Sequence, residues 1–482
     1  MTSSGTELHD LTALEQAAAV RAREVSPTEL VDHALRRIDA RDAALGAFIT
    51  VTPERALAAA RDAEAAVLHG SDELPPLLGV PTAIKDLNNT AGVRTTCGSR
   101  VMADFVPTAD DHVVTALAAA GTISLGKTNT PEFGFPCYTD NDLVGPARCP
   151  WDPTRLAGGS SGGAAVAVAS GMVAFAQGSD GGGSIRIPAN INGLFGIKPT
   201  RGRVSNAPLG GDVTGLGTNG PLARTVRDAA AMLDAMAGPV AGDPAWAPPL
   251  PAGETFLRQA ERPPGRLRIG RFVESAMPGV ALEPAVAEAF EDASRLFEGL
   301  GHDVEDVPPG LLGPDVLGSF ERVWALSGTT LPVPPERVGD LRPLTQVLRA
   351  RGLALSAQDA MEAMLALRLF SRGFIRATAD YDVLLAPVCT MTPRPVGWFD
   401  AGGDGAADFE LQKQYAAFTA LFNVTGQPAV SVPLFWTADG LPIGTMLVGR
   451  PADEATLIAL SAQVEAARPW AHRHPPGWES HR

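Results

Sequence analysis

Two serines and a lysine have types and spacing suited to chemistry in this sequence. Ser160 lies in GGSSGG (158–163), Ser184 lies 24 residues on in GSDGGGSIRIPA (178–189), and Lys85 lies upstream in GVPTAIKDL. Together they suit a nucleophile, a relay and a base. A base has to give up its proton. Arginine, with a pKa above about 12, does not, whereas burial moves a lysine from about 10.4 towards neutrality. The chain otherwise avoids lysine: among 39 basic residues only Lys85, Lys127, Lys198 and Lys413 are lysines.

Each of these residues also has a plain structural reading. DGGGS (180–184) suits a flexible turn. It equally suits a nest, in which successive glycine N–H groups converge on an anion and a serine at the end of the nest sits where a tetrahedral oxyanion forms. Ser160 and Ser161 precede the Ala/Val run AAVAVASGM and suit helix capping, which explains one serine better than two. A second hydroxyl between a lysine and a nucleophilic serine would pass the proton where the lysine cannot reach directly. Arg186 reads most simply as a structural cation paired with Asp180. Lys127 in GKTN and Lys198 in IKPT suit tying down loop carbonyls, whereas Lys85 has the strand-end position of a catalytic group.

Two familiar motifs match by spacing and fail by context. GTISLGKT (121–128) has P-loop spacing, yet it follows a helix-like run, its variable positions read as a strand, and Pro131 comes soon after, so nucleotide binding is not expected. GGSSG and GSSGG have nucleophile-elbow spacing without a clear preceding strand, and of the eight histidines only the late ones, from His302 on, have the chain order an elbow serine needs. The lysine-based reading fits better.

The elements that position these residues alternate. Residues 10–69 read as helices, with Ser26-Pro27-Thr28 as a start signal. LLGVPTAIKDL reads as a strand ending at Lys85-Asp86, DDHVVTALAAAG as a helix, and TISLGK as a strand. RTVRDAAAMLDAMAG is helical, 238–266 is a Pro/Gly-rich connector, and LRIGRF, YDVLLAPV, AVSVPLF and GTMLVG are strand-like. Helices follow at about 356–378 and in DEATLIALSAQVEAA. The alternation predicts an α/β fold. With 482 residues, the chain has room for two domains, the connector being the candidate boundary, or for one large α/β enzyme.

Composition narrows the partners. Hydrophobic residues are 45% and charged residues 19%, as in globular proteins, and the net charge of −15 argues against nucleic acid. MTSSGTELHD shows no secretory signal and the longest apolar run, roughly 164–176, is short, so no membrane span is expected. Cys97, Cys137, Cys149 and Cys389 fit neither a disulfide framework nor metal-site spacing, which makes free thiols and the cytoplasm the expectation.

With these residues in hand, the chain resembles the amidase signature family, serine hydrolases with a Ser-cisSer-Lys triad. The resemblance runs through GVPTAIKDL, GKTNTPEFG, GGSSGGAAVAVASG, GSDGGGSIRIPANINGLFGIKPTRGRVS, FNVTGQPAVSVP and GLPIGTMLVG. It implies Lys85 as base, Ser160 as the serine with a cis peptide, and Ser184 as the acylated nucleophile. The backbone amides of Gly181, Gly182, Gly183 and Ser184 become the oxyanion hole, with Ser161, Asp180 and Arg186 in support and Gly134 and Cys137 at the substrate. It further implies one amidase domain over 1–482 around a large mixed, mostly parallel sheet flanked by helices. Within it lie N-terminal helices at about 10–69, the signature core at about 78–205 and a substrate-pocket region at about 305–412. Phe320, Trp324, Phe370 and Trp398 are candidate pocket walls, each with core packing as its plainer role.

The implied reaction is two-step acyl transfer on a small-molecule amide, with no metal or organic cofactor, and a homodimer is the oligomeric option, unmarked by any residue. The tail is similar to the branch containing 6-aminohexanoate cyclic-dimer hydrolases, with aryl-acylamidases and urethane-cleaving enzymes also related. The rival is a glutaminyl-tRNA amidotransferase A-type subunit, which releases ammonia from glutamine inside a complex. The sequence departs from the family pattern at Gly181, where Thr, Ile or Ala is frequent, at Asn192, where Cys is, and at Cys149, in place of Asn.

Overall fold

The computed structural model describes residues 7–70, 73–208, 213–277, 279–313 and 315–479, so residues 1–6 of the N-terminal segment and His481 lie outside it. Eleven strands are present among the described residues: β1 (Phe48–Val51), β2 (Pro81–Lys85), β3 (Ile123–Thr128), β4 (Phe175–Asp180), β5 (Phe195–Lys198), β6 (Thr218–Ala223), β7 (Arg268–Arg271), β8 (Asp303–Asp306), β9 (Val383–Pro387), β10 (Ala429–Trp436) and β11 (Pro442–Gly449). They form a three-stranded sheet in the order β1-β3-β2 and an eight-stranded sheet in the order β4-β6-β5-β10-β11-β9-β7-β8.

The sheet is mixed, as expected, but it is not mostly parallel. Only β7–β8 and β7–β9 run parallel in the large sheet, and the pairings from β4 through to β9 are antiparallel. The physical reason lies in the connections. β10 and β11 are joined through a tight turn at 437–441, in which Gly440 N–H donates to Thr437 O, and a short turn of this kind allows only antiparallel neighbours. β4, β5 and β6, by contrast, interleave with the short helix Arg186–Asn192.

Sequence dictates the helices directly. Pro27–Leu45 starts at a capping box, Ser26 with Glu29, followed by Pro27, and stops at the left-handed Gly46. Gly162–Ala169 is apolar on every side and every one of its residues is buried, as a helix without a polar face must be. One core packs Ala229, Met232 and Leu233 of helix Val226–Met236 and Leu457 and Ile458 of helix Glu454–Ala467 against Phe195, Val430 and Leu447 of the large sheet. Each such fully buried large side chain contributes about 1.5–3 kcal/mol. The P-loop-like segment is strand β3, followed by a single 3-10 turn at Glu132–Gly134 and not by an α-helix. The connector 238–266 carries one helix, Phe256–Gln259, whose first amides are held by Asp234. Among the described residues no helix is long and apolar enough to cross a membrane, and the four cysteines are unpaired.

For the site, the decisive contact is between the two sheets. β2 lies beside β4 and runs the same way: Thr82 Oγ1 donates to Phe175 O at 3.2 Å and Lys85 N to Gln177 Oε1 at 2.8 Å. The two strands end side by side, β2 in Lys85 and β4 in Asp180, where the glycine run begins.

Candidate active site

Lys85 is completely buried. Its Nζ lies 2.8 Å from Ser160 Oγ, 3.1 Å from Ser179 O and 3.0 Å from Ser179 Oγ. Burial lowers its pKa from 10.5 to about 7, against the opposing pull of Asp180. A neutral amine has two N–H groups and one lone pair. With both donated to Ser179, the lone pair is left for the Ser160 hydroxyl. The Gly159–Ser160 peptide is cis, as the resemblance implied, and Ser160 O accepts from Thr130 Oγ1 at 3.0 Å.

Neither serine caps the following helix. Ser161 occupies the N-cap position of Gly162–Ala169 without a side-chain capping bond. Its hydroxyl instead donates to Ser179 O at 3.1 Å and accepts from Ser179 N at 3.2 Å, while its own N–H reaches Ser184 O at 3.1 Å. Ser161 thus fastens the strand end carrying Lys85's partner to the loop carrying Ser184.

The glycine run is an ordered structure built around Asp180. The carboxylate accepts from Gly183 N–H at 2.7 Å and Ile185 N–H at 3.1 Å, and from the Arg186 guanidinium at 2.9 and 3.0 Å. Asn423, in the downstream FNVTGQ segment, donates to both the backbone and the side chain of Asp180 at 2.9 and 2.8 Å. Burial works to raise the Asp180 pKa, but Arg186 outweighs it and holds the carboxyl well below its usual range. Arg186 is therefore the structural cation, fully buried.

These bonds correct the expected oxyanion hole. Gly183 N–H already belongs to Asp180, so it faces the carboxylate and not a reacting oxygen. The N–H groups of Gly181, Gly182 and Ser184 have no hydrogen-bond partner among the described residues, and Gly182 and Ser184 face the cleft. The Ser184 hydroxyl likewise makes no hydrogen bond among the described residues, so the Ser160-to-Ser184 link is open in the resting site.

The cleft above Ser184 has a cavity volume of about 100 Å³ and is largely apolar. Of the candidate walls Phe320 and Trp324 line it, against their plainer reading as core, with Cys137, Phe135 and Phe409. Trp324 is held by Phe320 stacked at 5.6 Å and Phe135 edge-on at 5.8 Å. The ring borders Gly181 closely: a Cβ there would stand 3.3 Å from Trp324 Cη2 and Cζ3, so the ring would have to give by a few tenths of an ångström. Phe370 and Trp398 do not line the cleft; they pack on Phe374 and Phe399 as core. The expected pocket region of 305–412 extends further, to 276–277 and 413–424. Gly134 sits behind Ser160, where a Cβ would meet Ser160 Oγ at 3.2 Å, and is not a wall of the cleft. Cys137 is at the cleft, with its thiol pKa raised well above 9.0 by burial.

The remaining lysines behave as structural groups. Lys127 donates to Asn88 O at 2.6 Å and Thr95 Oγ1 at 2.8 Å, and Lys198 donates to Pro199 O at 3.0 Å. Burial, with Arg186 next in weight, lowers Lys198 to about 7, but it has no serine partner. Ser179, Gln177, Thr419 and Asn423 are site residues that sequence reasoning does not single out. Ser179 lies inside GSDGGGS and Asn423 inside FNVTGQ, which is the available signal. Among the described residues no group of His, Cys, Asp and Glu is arranged to hold a metal ion.

The amidase family pattern matches residues 29–458. The chain is 35% identical over 491 residues to the 6-aminohexanoate-cyclic-dimer hydrolase of Paenarthrobacter ureafaciens, covering 96% of each. It is 35% identical over 499 residues to the A-type subunit of the glutamyl-tRNA(Gln) amidotransferase of Thioalkalivibrio sulfidiphilus, covering 98% of this chain and 100% of that one. The solved structure of a 6-aminohexanoate cyclic dimer hydrolase matches with a TM-score of 0.89 at 32% identity, covering 98% of this chain and 99% of that one.

Proposed function

The chain belongs to the amidase family and is an amide hydrolase; from that premise we propose that Ser184 is its nucleophile, Lys85 its base and Ser160 the relay between them. The observation that carries this reading is the 2.8 Å contact between Ser160 Oγ and a fully buried lysine brought near neutrality. Neutral Lys85 takes the Ser160 proton as Ser160 takes that of Ser184, and Ser184 Oγ attacks the amide carbonyl. The oxyanion is received by the N–H groups of Gly181, Gly182 and Ser184. Collapse breaks the C–N bond, the proton returns through Ser160 to the departing amine, and a Ser184 ester remains. Water then attacks the ester by the same relay, releasing the acid and the free serine. The open Ser160-to-Ser184 link closes when substrate fills the cleft, a tightening that resting catalytic sites commonly await. The whole chain acts as one catalytic unit.

The cleft favours an uncharged, largely apolar amide: an aryl amide, a linear or cyclic aliphatic amide oligomer, or a carbamate. Its polar walls are already engaged. Lys413 is bound to Glu321 at 2.6 Å and Glu410 at 2.8 Å, and Gln412 spans Cys137 N and Asp408. Glutamine brings an α-ammonium and an α-carboxylate, and the described lining offers neither a free partner, so the amidotransferase reading is the less supported one.

The test is product release by the purified chain alone, followed by mass spectrometry. The panel holds glutamine, aliphatic and aryl amides, anilides, a carbamate and linear and cyclic 6-aminohexanoate oligomers. Turnover of a non-glutamine amide supports the stand-alone hydrolase and identifies its substrate class. Turnover confined to glutamine transfers support to the amidotransferase reading.

A further inference from the structure

The peptide unit between Gly182 and Gly183 is gripped at both of its polar ends. Its N–H donates to Asp180 Oδ1 at 2.7 Å. Its C=O accepts from the hydroxyl of Thr419 at 2.6 Å. Thr419 is fully buried, it lies between helices Gly405–Tyr415 and Leu421–Thr425, and its own carbonyl accepts from Arg186 Nη1 at 2.9 Å. One residue therefore ties the glycine run to the guanidinium that holds Asp180. The fit is close: Gly183 has φ +130, and a Cβ there would stand 2.4 Å from Thr419 Oγ1.

We propose that Thr419 is a positioning residue for the oxyanion hole: its hydroxyl fixes the Gly182–Gly183 peptide plane so that the flanking N–H groups of Gly182 and Ser184 stay aimed at the reacting oxygen. This rests on Ser184 being the nucleophile. In a glycine run the peptide planes turn readily. A rotated 182–183 plane would take its N–H off Asp180, turn its carbonyl, the negative end of its dipole, towards that carboxylate, and carry the flanking N–H groups of Gly182 and Ser184 out of line. Asp180 holds the N–H end, and Thr419 holds the carbonyl end. Preorganised donors act because they need no reorganisation during reaction, so a plane free to flip lowers the rate without loosening substrate in its ground state.

The experiment compares wild type, Thr419→Val, Thr419→Ala and Thr419→Ser. The readouts are thermal midpoint, kcat and KM on a substrate from the amide panel, and the rate at which a fluorophosphonate probe labels Ser184. Labelling passes through an oxyanion-stabilised step and needs no knowledge of the natural amide. Valine keeps the shape and removes the donor. Alanine leaves room for water to satisfy the Gly182 carbonyl should the valine variant fold poorly. Serine restores the donor. Removing an oxyanion donor outright costs about 100- to 1000-fold in kcat. Loss of the clamp is expected to lower kcat and labelling about 10-fold or more in the valine and alanine variants, with KM near wild type and recovery in the serine variant. Equal loss in the serine variant, a change in KM with kcat unchanged, or wild-type labelling in both valine and alanine variants overturns the clamp. A wild-type chain in which the probe leaves Ser184 unlabelled overturns both the clamp and the nucleophile assignment beneath it.

Discussion

Replacing Lys85 with methionine should abolish amide turnover and, at neutral pH, stabilise the fold. Burial lowers the lysine from 10.5 to about 7, and at about 1.36 kcal/mol per pH unit the gap amounts to roughly 4–5 kcal/mol of destabilisation at and below pH 7. Methionine matches the length of the stem without the charge. It forfeits the bonds to Ser160 and Ser179, but Ser179 O keeps its bond from Ser161, so that loss is near the low end of about 1–3 kcal/mol. The net expectation is a gain of about 3–4 kcal/mol at pH 7. The sign with pH follows from proton binding. Between about pH 7 and 10.5 the unfolded chain holds the Lys85 proton and the folded chain does not, so wild-type stability rises with pH relative to the variant. The slope is about 1.4 kcal/mol per pH unit, so the net gap closes at about pH 9.5, below the ordinary value of the amine, 10.5. Above that crossing the lost hydrogen bonds leave the variant the less stable. Denaturant unfolding of both proteins at pH 7, 8 and 9 measures it. Stability curves that stay parallel across this window, or a Lys85→Met variant that is inactive and less stable at pH 7, would refute the near-neutral lysine.

Other outcomes follow from the same geometry. Since the neutral amine is the base and its pKa is about 7, kcat/KM should fall about tenfold per pH unit below that value and level off above it; a flat pH–rate profile between pH 5 and 8 would contradict the base assignment. Gly181→Val drives a side chain into Trp324 and should lower kcat/KM for aryl amides at least about tenfold while sparing small aliphatic amides; uniform loss across the panel would show that Trp324 does not shape specificity. Arg186→Gln leaves the buried Asp180 carboxylate without its cation and should destabilise the fold by about 3–5 kcal/mol; a loss below about 1 kcal/mol in denaturant unfolding would mean the pair is not what orders the glycine run.

What is legible in the sequence is local chemistry. Lys85 stands out because a chain that otherwise uses arginine has put a lysine at a strand end, and Arg186 with Asp180 reads as a structural pair from proximity along the chain. The strands with continuous apolar runs, β2, β9, β10 and β11, are visible because burial on both faces leaves a compositional mark. β4 and β6 are not: FAQGSD and TNGPLA are buried, yet their glycines, proline and polar residues read as turns. The direction of the strands is set by connections that local pattern does not encode. In the site, Gly183 joins the expected oxyanion hole because sequence orders the N–H groups but does not say which one a carboxylate three residues back has taken. Thr419 and Asn423 reach the loop from more than 230 residues downstream, a juxtaposition that only folding creates. Phe370 and Trp398 fall in the core and not at the cleft for the same reason: an aromatic side chain bears no mark in the sequence of which of the two it faces.

The central claim is that Ser184 carries the acyl group, and the most direct measurement is peptide mapping by mass spectrometry after acid quench of the enzyme turning over an anilide. A covalent acyl group on Ser184, absent in Ser184→Ala together with all turnover, is the predicted result; an adduct on Ser160 instead, or a folded Ser184→Ala variant that still releases aniline at the wild-type rate, would contradict it.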